Sequence, residues 1–136
     1  MSDFKGLYDI RLAKPEDVNF ILATFLRGLY YGESAFSPMP KAVFMANYKP
    51  VAQALLVRHK VHVACLKEDQ DVILGYSIVS HDSSTVHWVQ VKSAWRRKGI
   101  AKSLVPANPA QVSHLTKLGL ALLPKFPNAI FNPFSL

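Results

Sequence analysis

The spacing of apolar residues at the start of the chain changes from that of a strand to that of a helix. Residues 7–12 alternate apolar and polar side chains, which is typical of a half-buried strand. Pro15, Glu16 and Asp17 then indicate a helix start, with proline in the first turn and acids near the positive end of the helix dipole. We predict a helix over residues 15–29, and its apolar face comprises Val18, Ile21, Leu22, Phe25, Leu26 and Leu29.

A loop and a second helical segment follow. Residues 32–40 contain one glycine, two serines and two prolines, which predicts a loop. Residues 41–58 have a helical pattern that we expect to break at Lys49-Pro50, because proline restricts the backbone of the residue before it.

The middle of the chain predicts an antiparallel three-strand meander. Residues 61–66, 72–80 and 85–91 are rich in β-branched side chains, and short polar segments separate them. A basic loop comes next, and a helix begins at Gly99 or Ile100 and ends before Pro106. We further predict a short helix over 110–118 that ends at Gly119, and two short strands within 121–126 and 129–134.

Length and composition indicate one globular domain over residues 1–136. Half of the residues are hydrophobic and 18% are charged, which excludes a disordered chain. No apolar stretch reaches the roughly 20 residues that a bilayer requires. The first residues lack an export pattern and Cys65 has no second cysteine to pair with, so we expect a cytoplasmic protein that does not enter a membrane.

The net charge of +7 comes entirely from the second part of the chain. Residues 1–82 contain nine acids and nine bases, whereas residues 83–136 contain seven bases and no acid. Four of those seven bases fall within residues 96–102. Such a concentration of positive charge favours a polyanionic ligand, either a phosphorylated cofactor or a nucleic acid, over a merely solubilising surface.

Residues 89–102 combine three features of a phosphate-binding site. A strand ends, a basic loop with Gly99 follows, and a helix begins there. A helix start presents free N–H groups and a positive dipole end, and glycine lets a phosphate approach the backbone. The segment lacks the Gly-Lys-Ser/Thr of a P-loop and the three glycines of a dinucleotide fingerprint.

This segment resembles the signature of the GNAT superfamily of acetyl-CoA-dependent N-acetyltransferases. The signature is Arg/Gln-x-x-Gly-x-Gly/Ala after a strand of the form apolar-x-Val, and here Arg96-x-x-Gly99-x-Ala101 follows Val89-x-Val91. The opening strand, the two helices and the meander occur in the family's order. The resemblance covers about residues 7–105, and Leu118-Gly119-Leu120 loosely resembles the family's Leu-Gly-Phe.

The resemblance implies an α/β (α+β) fold with a mixed, mostly antiparallel sheet flanked by helices. It also implies acetyl-CoA as acyl donor, an amine as acceptor, and no metal. The strand would pair with the pantetheine arm and the loop amides would hold the pyrophosphate. The implied cofactor-binding residues are Val89, Val91, Arg96, Arg97, Lys98, Gly99, Ile100, Ala101 and Lys102.

The family's catalytic groups are incompletely matched. In the family, a glutamate on the strand before the motif often acts as base, but this chain has no acid after Asp82. The candidate base is therefore His87. Its position resembles that of a strand histidine in the serotonin N-acetyltransferase branch. The alternative is that His87 is simply a packed or exposed strand residue. Leu115 occupies the position at which the family has a tyrosine that acts as general acid, so the general acid stays unassigned. Weak alternatives for it are Ser113, His114, Tyr30 and Tyr31.

The second half is short for the family. Only 19 residues separate Gly99 from Gly119, so we expect the fifth strand to be shortened or missing, and a partner subunit could complete the sheet. Two other functions stay open: a GNAT-like protein that modifies or binds nucleic acid, as the Mom-type phage proteins do, or an inactive binding module. His59, His62 and Cys65 are spaced by three, but strand geometry places successive side chains on opposite faces, which argues against a metal site.

Overall fold

The strands form one open sheet whose order follows the chain. A computed structural model describes residues 6–116, 120 and 123–136, and six strands occur in these residues. They are β1 (Tyr8–Leu12), β2 (Lys60–Leu66), β3 (Ile73–Val79), β4 (Thr85–Val91), β5 (Gln111–Val112) and β6 (Ile130–Phe131). β1 to β4 pair antiparallel, whereas β4 with β5 and β5 with β6 pair parallel. The mixed, mostly antiparallel sheet is as predicted.

Helices cover both faces of the sheet. α1 (Val18–Gly32) and α2 (Lys41–Arg58) bury Phe25, Phe44 and Leu55 against one face. On the other face, α3 (Ile100–Leu104) packs against residues such as Tyr8, Leu74 and Val91. Because both faces are covered, every residue of β3 is buried. This explains why β3 does not alternate apolar and polar side chains and why Ser77 is buried with its apolar neighbours.

The opening strand is joined to the first helix by an ion pair. Arg11 lies on β1, and its Nη1 donates to Asp17 Oδ2 at 2.6 Å while its Nη2 donates to Oδ1 at 3.2 Å. Asp17 ends a 3-10 turn (Pro15–Asp17) and also accepts a bond from the Lys14 backbone N–H. The predicted helix start is therefore confirmed, but its first turn is 3-10 helix and the α-helix continues to Gly32.

The predicted break in the second helix is wrong. α2 runs without interruption from Lys41 to Arg58 with Pro50 inside it. Proline removes one backbone donor, at a cost of about 3 kcal/mol. Burial of each large apolar side chain, such as Phe44 or Leu55, contributes about 1.5–3 kcal/mol, so the packed face of the helix outweighs the lost bond.

The predicted helix over 110–118 is also wrong in its described part. Residues 111 and 112 form β5, and residues 117–119, including the predicted end at Gly119, lie outside the described residues. Ala110 and Gln111 donate their backbone N–H groups to Ser84 O, and Ser113 donates to Val86 O. The free edge of β4 thus overrides the local helix preference.

The fifth strand is present but shortened to two residues, as expected. In the tail, residues 123–125 form a 3-10 turn where a strand was predicted, and residues 121–122 lie outside the described residues. The second predicted tail strand is confirmed as β6 (Ile130–Phe131). Pro124 explains the failure of the first, because proline cannot donate to a strand ladder.

Among the residues with described structure, no helix combines the length and the apolarity needed to cross a bilayer.

Candidate active site

β4 is irregular where the sheet opens. Ile78 pairs with Trp88 and Val79 pairs with Val86, which leaves His87 as an extra residue in β4, a β-bulge. Bulges bend a strand and redirect a side chain, and they are over-represented beside active sites. The site is therefore built around a distortion that the amino-acid pattern did not indicate.

The pairing of β4 with β5 ends immediately before this bulge. Thr85 and Val86 pair with Gln111 and Val112, and the last backbone bond runs from Ser113 N to Val86 O at 3.2 Å. Within the described residues, no further backbone bond joins β4 to the chain that follows β5. Among the residues that the structure describes, the edge of β4 over residues 87–91 thus has no strand partner on this side, and this opening is here called the β4 cleft.

The basic loop follows the open end of β4. A 3-10 turn (Ser93–Trp95) leads to Arg97 and Gly99, whose φ angles are 63° and 84°, and α3 begins at Ile100. When left-handed residues alternate with residues of other backbone conformations, their N–H groups form a concave surface that typically binds anions. A Cβ on Gly99 would meet no atom within 4 Å, so glycine is required there by the backbone angle while the space in front of it is open.

The predicted cofactor residues divide into a buried support and an exposed surface. Val91 and Ile100 are buried in the core under α3, and Val89 and Ala101 are partly buried against it. Arg96 Nε donates to Val91 O at 3.0 Å, which ties the loop to the strand end. The remaining residues lie at the surface: Arg97, Gly99 and Lys102 are exposed and Lys98 is half-buried.

His87 is buried and held at one ring nitrogen. The residue is 2% exposed, and its Nδ1 lies 2.6 Å from Ser113 Oγ. Its Nε2 has no hydrogen-bond partner in the described part of the chain. The His59 ring packs against it at an interplanar angle of 31°, with centroids 4.1 Å apart. Burial, followed by the nearby His59, His114 and Arg58, lowers the pKa of His87 to about 4, so the ring is neutral at pH 7.

Ser113 links His87 to a second histidine and a tyrosine. Ser113 Oγ lies 2.8 Å from His114 Nδ1, and His114 Nε2 is hydrogen-bonded to the Tyr48 hydroxyl. Burial lowers the pKa of His114 to about 4 and raises the pKa of Tyr48 to about 12. The four side chains Tyr48, His114, Ser113 and His87 form a neutral hydrogen-bonded line, here called the His87 line.

Sequence reasoning treated Ser113 and His114 only as weak alternatives for the general acid and did not consider Tyr48 as a site residue. Tyr48 is 66 positions away from His114, and it lies on a helix whose pattern indicates only packing. No local signal could have joined them.

The two tyrosines considered as acids lie elsewhere. Tyr30 donates its hydroxyl to Met39 O at 2.6 Å and packs against Phe44, so it supports the loop between α1 and α2. Tyr31 is 66% exposed beneath the ammonium of Lys41. Neither hydroxyl has a contact to His87.

The spaced set His59, His62 and Cys65 is dispersed. Cys65 is buried in β2 with its Sγ 3.7 Å from Asp9 O, whereas His59 precedes the strand and packs against His87. The described residues contain no cluster of three or more His, Cys, Asp or Glu side chains that could hold a metal ion.

Comparison with known proteins gives matches among solved structures. No family model matches the chain, and no curated protein matches it. A proposed acetyl transferase of Pyrococcus furiosus has a TM-score of 0.56 at 20% identity, with 71% of this chain and 68% of that chain covered. The histone acetyltransferase HPA2 and related acetyltransferase of Corynebacterium glutamicum has a TM-score of 0.52 at 14% identity, with 71% and 67% covered. The GCN5-related N-acetyltransferase of Rhodopseudomonas palustris has a TM-score of 0.51 at 17% identity, with 72% and 61% covered.

These similarities show that the chain has the GNAT acetyltransferase fold, as the basic loop motif predicted. The aligned part spans 61–68% of the length of those three structures.

Proposed function

We propose that this protein is an acyl-CoA-dependent N-acyltransferase that uses acetyl-CoA and an amine. The observation that carries the proposal is the junction of the β4 cleft with the basic loop on a GNAT fold. The open edge of β4 offers backbone groups to an extended pantetheine chain. The loop offers Arg97, Lys98, Lys102 and the open space before Gly99 to the phosphates.

In this proposal His87 is the general base. Burial lowers its pKa to about 4, so the ring is neutral at pH 7 with a free nitrogen lone pair, and a base this weak has to pass an acquired proton on instead of holding it. Bound acetyl-CoA supplies the thioester that a neutral amine attacks, forming the C–N bond and releasing the thiolate. The attacking amine loses one proton and the thiolate gains one, so atoms and charge balance over the reaction.

Titration with acetyl-CoA tests the proposal. A ligand at about 100 times its Kd stabilises the native state by about 2.7 kcal/mol, which gives a measurable rise in Tm. Gly99→Glu places a carboxylate in the open space before the loop, and we expect it to abolish the rise. Gln53→Glu, an equal charge change at an exposed position of α2, serves as the control and keeps the rise. Absence of stabilisation by any acyl-CoA in the unmodified chain contradicts the proposal.

The basic surface favours a second candidate function, binding of nucleic acid. Lys92, Arg96, Arg97 and Lys102 are exposed on one connected segment, and no acid occurs after Asp82. Binding through phosphates weakens steeply with added salt because each neutralised phosphate releases counterions. A salt-independent affinity for DNA or RNA, or none, would eliminate this candidate.

A further inference from the structure

The His87 line carries an inference that deepens the proposed function and rests on it for the identity of the substrate. The line connects the β4 bulge to helix α2 through Ser113, which follows β5. It thus crosses the inner end of the β4 cleft, where β4 and β5 separate. His87 and Ser113 are each 2% exposed, so bulk water does not replace their mutual bond.

Hydrogen-bond chemistry allows two arrangements in which donation runs in one direction along the line, and a third, in which Ser113 Oγ accepts from both Nδ1–H groups, interrupts that direction. A neutral imidazole has one N–H and one bare nitrogen, and a hydroxyl donates one proton. In the first of the two one-directional arrangements, Tyr48 donates to His114, His114 carries its proton on Nδ1 and His87 carries its proton on Nε2. If the direction is reversed, His87 carries its proton on Nδ1, His114 carries its proton on Nε2, and the Tyr48 hydroxyl donates outward.

The unpartnered Nε2 of His87 selects between these two one-directional arrangements. In the first arrangement this buried atom is an N–H group without an acceptor, and in the second it is a bare lone pair. Orphaned buried N–H groups are rarer in native proteins than under-satisfied acceptors. The second arrangement is therefore favoured, and it leaves at His87 the free lone pair that a base needs.

We propose that Ser113, His114 and Tyr48 are positioning residues that fix the proton of His87 on Nδ1 and carry a proton away from it during acyl transfer. Because His87 Nε2 is buried in the ligand-free chain, the transfer requires the β4 cleft to open onto this atom when substrate binds. When the amine then gives a proton to Nε2, the Nδ1 proton passes to Ser113 Oγ. The Ser113 proton passes to His114 Nδ1, the His114 Nε2 proton passes to the Tyr48 oxygen, and the Tyr48 proton leaves to solvent or to the thiolate.

This transfer solves an electrostatic problem of the site. His87 faces His59, Arg58 and His114, and an imidazolium held among them without a carboxylate is strongly disfavoured. When all the transfers of the relay occur together, every imidazole ends neutral with its proton on the other nitrogen. The charge thus leaves the buried end of the line, and Tyr48, the less buried end, releases it.

The aromatic surroundings hold the second histidine in place. The His114 ring packs edge-on against Phe25 at 5.6 Å, Tyr48 at 5.9 Å and Trp88 at 6.3 Å between centroids. Tyr48 itself stacks on Phe44 with an interplanar angle of 5°. These contacts fix both rings from α1, α2 and β4, which gives the line a defined geometry.

The first test measures the histidine protons of the ligand-free full chain. Side-chain ¹⁵N NMR at pH 7 distinguishes the Nδ1–H from the Nε2–H form. We expect His87 as Nδ1–H and His114 as Nε2–H, both neutral. The same form at both residues, the exchanged assignment, or a cationic ring at either residue would overturn the proposal.

The second test compares Ser113→Ala with Ser113→Thr, and a thermal melt verifies that both are folded. We expect Ser113→Ala to lower kcat at least tenfold with the KM for acetyl-CoA unchanged, and to abolish the Nδ1–H form of His87. Ser113→Thr retains the hydroxyl and should restore both. A wild-type kcat and pH profile in Ser113→Ala would overturn the relay while the acyltransferase function stands. Lack of acetyl-CoA stabilisation in the unmodified chain would overturn the proposed acyltransferase function. The protonated nitrogens of His87 and His114, measured by NMR, test the His87 line independently of that function.

Discussion

The two halves of the sheet are built differently. Strands β2, β3 and β4 have seven residues each and pair along their length, whereas β5 and β6 have two residues each. All residues of β3 are buried, whereas both residues of β6 are exposed. We refer to residues 8–91 as the front region and to the described residues from 110 onward as the rear region. The contrast indicates that the front region carries the stability and that the rear region opens at low cost.

The rear region is attached by polar contacts along the edge of β4 and by aromatic packing of His114 against Phe25, Trp88 and Tyr48. Ser84 O, just before β4, accepts from the Ala110 and Gln111 backbone N–H groups, and Val86 O accepts from the Ser113 N–H. Single hydrogen bonds contribute about 0.5–1.5 kcal/mol each. A cleft bounded by such a wall can admit a long cofactor without disturbing the core under α1 and α2.

The largest difference between the regions is expected from truncating one phenylalanine in each. Phe25 is fully buried between α1 and the sheet, whereas Phe131 on β6 is 46% exposed. Phe25→Ala should lower the free energy of unfolding by about 3–5 kcal/mol through lost burial and a cavity. Phe131→Ala should lower it by less than about 1 kcal/mol. Urea unfolding of both variants measures this, and equal losses would refute the contrast.

A smaller but still large loss is expected from the ion pair that closes the front region. Asp17→Asn leaves the nearly buried Arg11 guanidinium without its partner and should cost about 3 kcal/mol at pH 7. Asp9→Asn is the matched control, because its 3.7 Å contact to Lys67 is exposed and contributes about 0–1 kcal/mol.

The Arg11–Asp17 ion pair also predicts the direction in which the free energy of unfolding changes in acid. Bonding to Arg11 holds the pKa of Asp17 below its ordinary value of 3.8, so the native state binds fewer protons than the unfolded chain. Stability should fall as the pH drops below about 4, and Asp17→Asn should lose that part of the dependence. An unchanged acid profile in the variant would contradict the role of the pair.

A change of pH tests the histidines that join the two regions. The pKa values of His87 and His114 lie near 4 against an ordinary 6.5, so the unfolded chain binds more protons in this window. Stability should therefore fall with decreasing pH between about 6.5 and 4, by up to about 1.4 kcal/mol per pH unit for each histidine. Chemical unfolding at several pH values measures the slope, and His87→Gln should reduce it by about half. A slope of zero would show that the two rings are not buried neutral.

The predictable parts of the fold were those governed by local pattern. The apolar stripe from Val18 to Leu29 and the β-branched runs around β2, β3 and β4 specify their elements because burial on one or both faces requires those residues. The failures were Pro50, residues 110–116 and the tail strand predicted within 121–126, whose described residues 123–125 form a 3-10 turn. Packing of α2 outweighed one lost bond in the first case, and pairing with β4 outweighed helix preference in the second.

The candidate site, like the fold, was predictable where it depends on residues close together in the chain and not where it depends on distant ones. Arg96, Gly99 and Ala101 lie close together in the chain, so the sequence shows their spacing. The left-handed backbone angle at Gly99 is a local feature that a glycine in this loop indicates. His87 was visible as a histidine on a strand. Its partner Ser113, the bulge and the distant Tyr48 were not, because they are brought together only by the pairing of strands and the packing of α2.

The sequence by itself determined the order of the elements, the acid-free basic second half and the position of the loop, since these depend on residues close together in the chain. The tertiary structure alone decided that β4 and β5 separate after Val86 and that His87 is buried, neutral and bonded through Ser113. The physical reason is that burial and hydrogen-bond partners depend on neighbours in space, and the neighbours of His87 come from α2, β4 and the segment after β5.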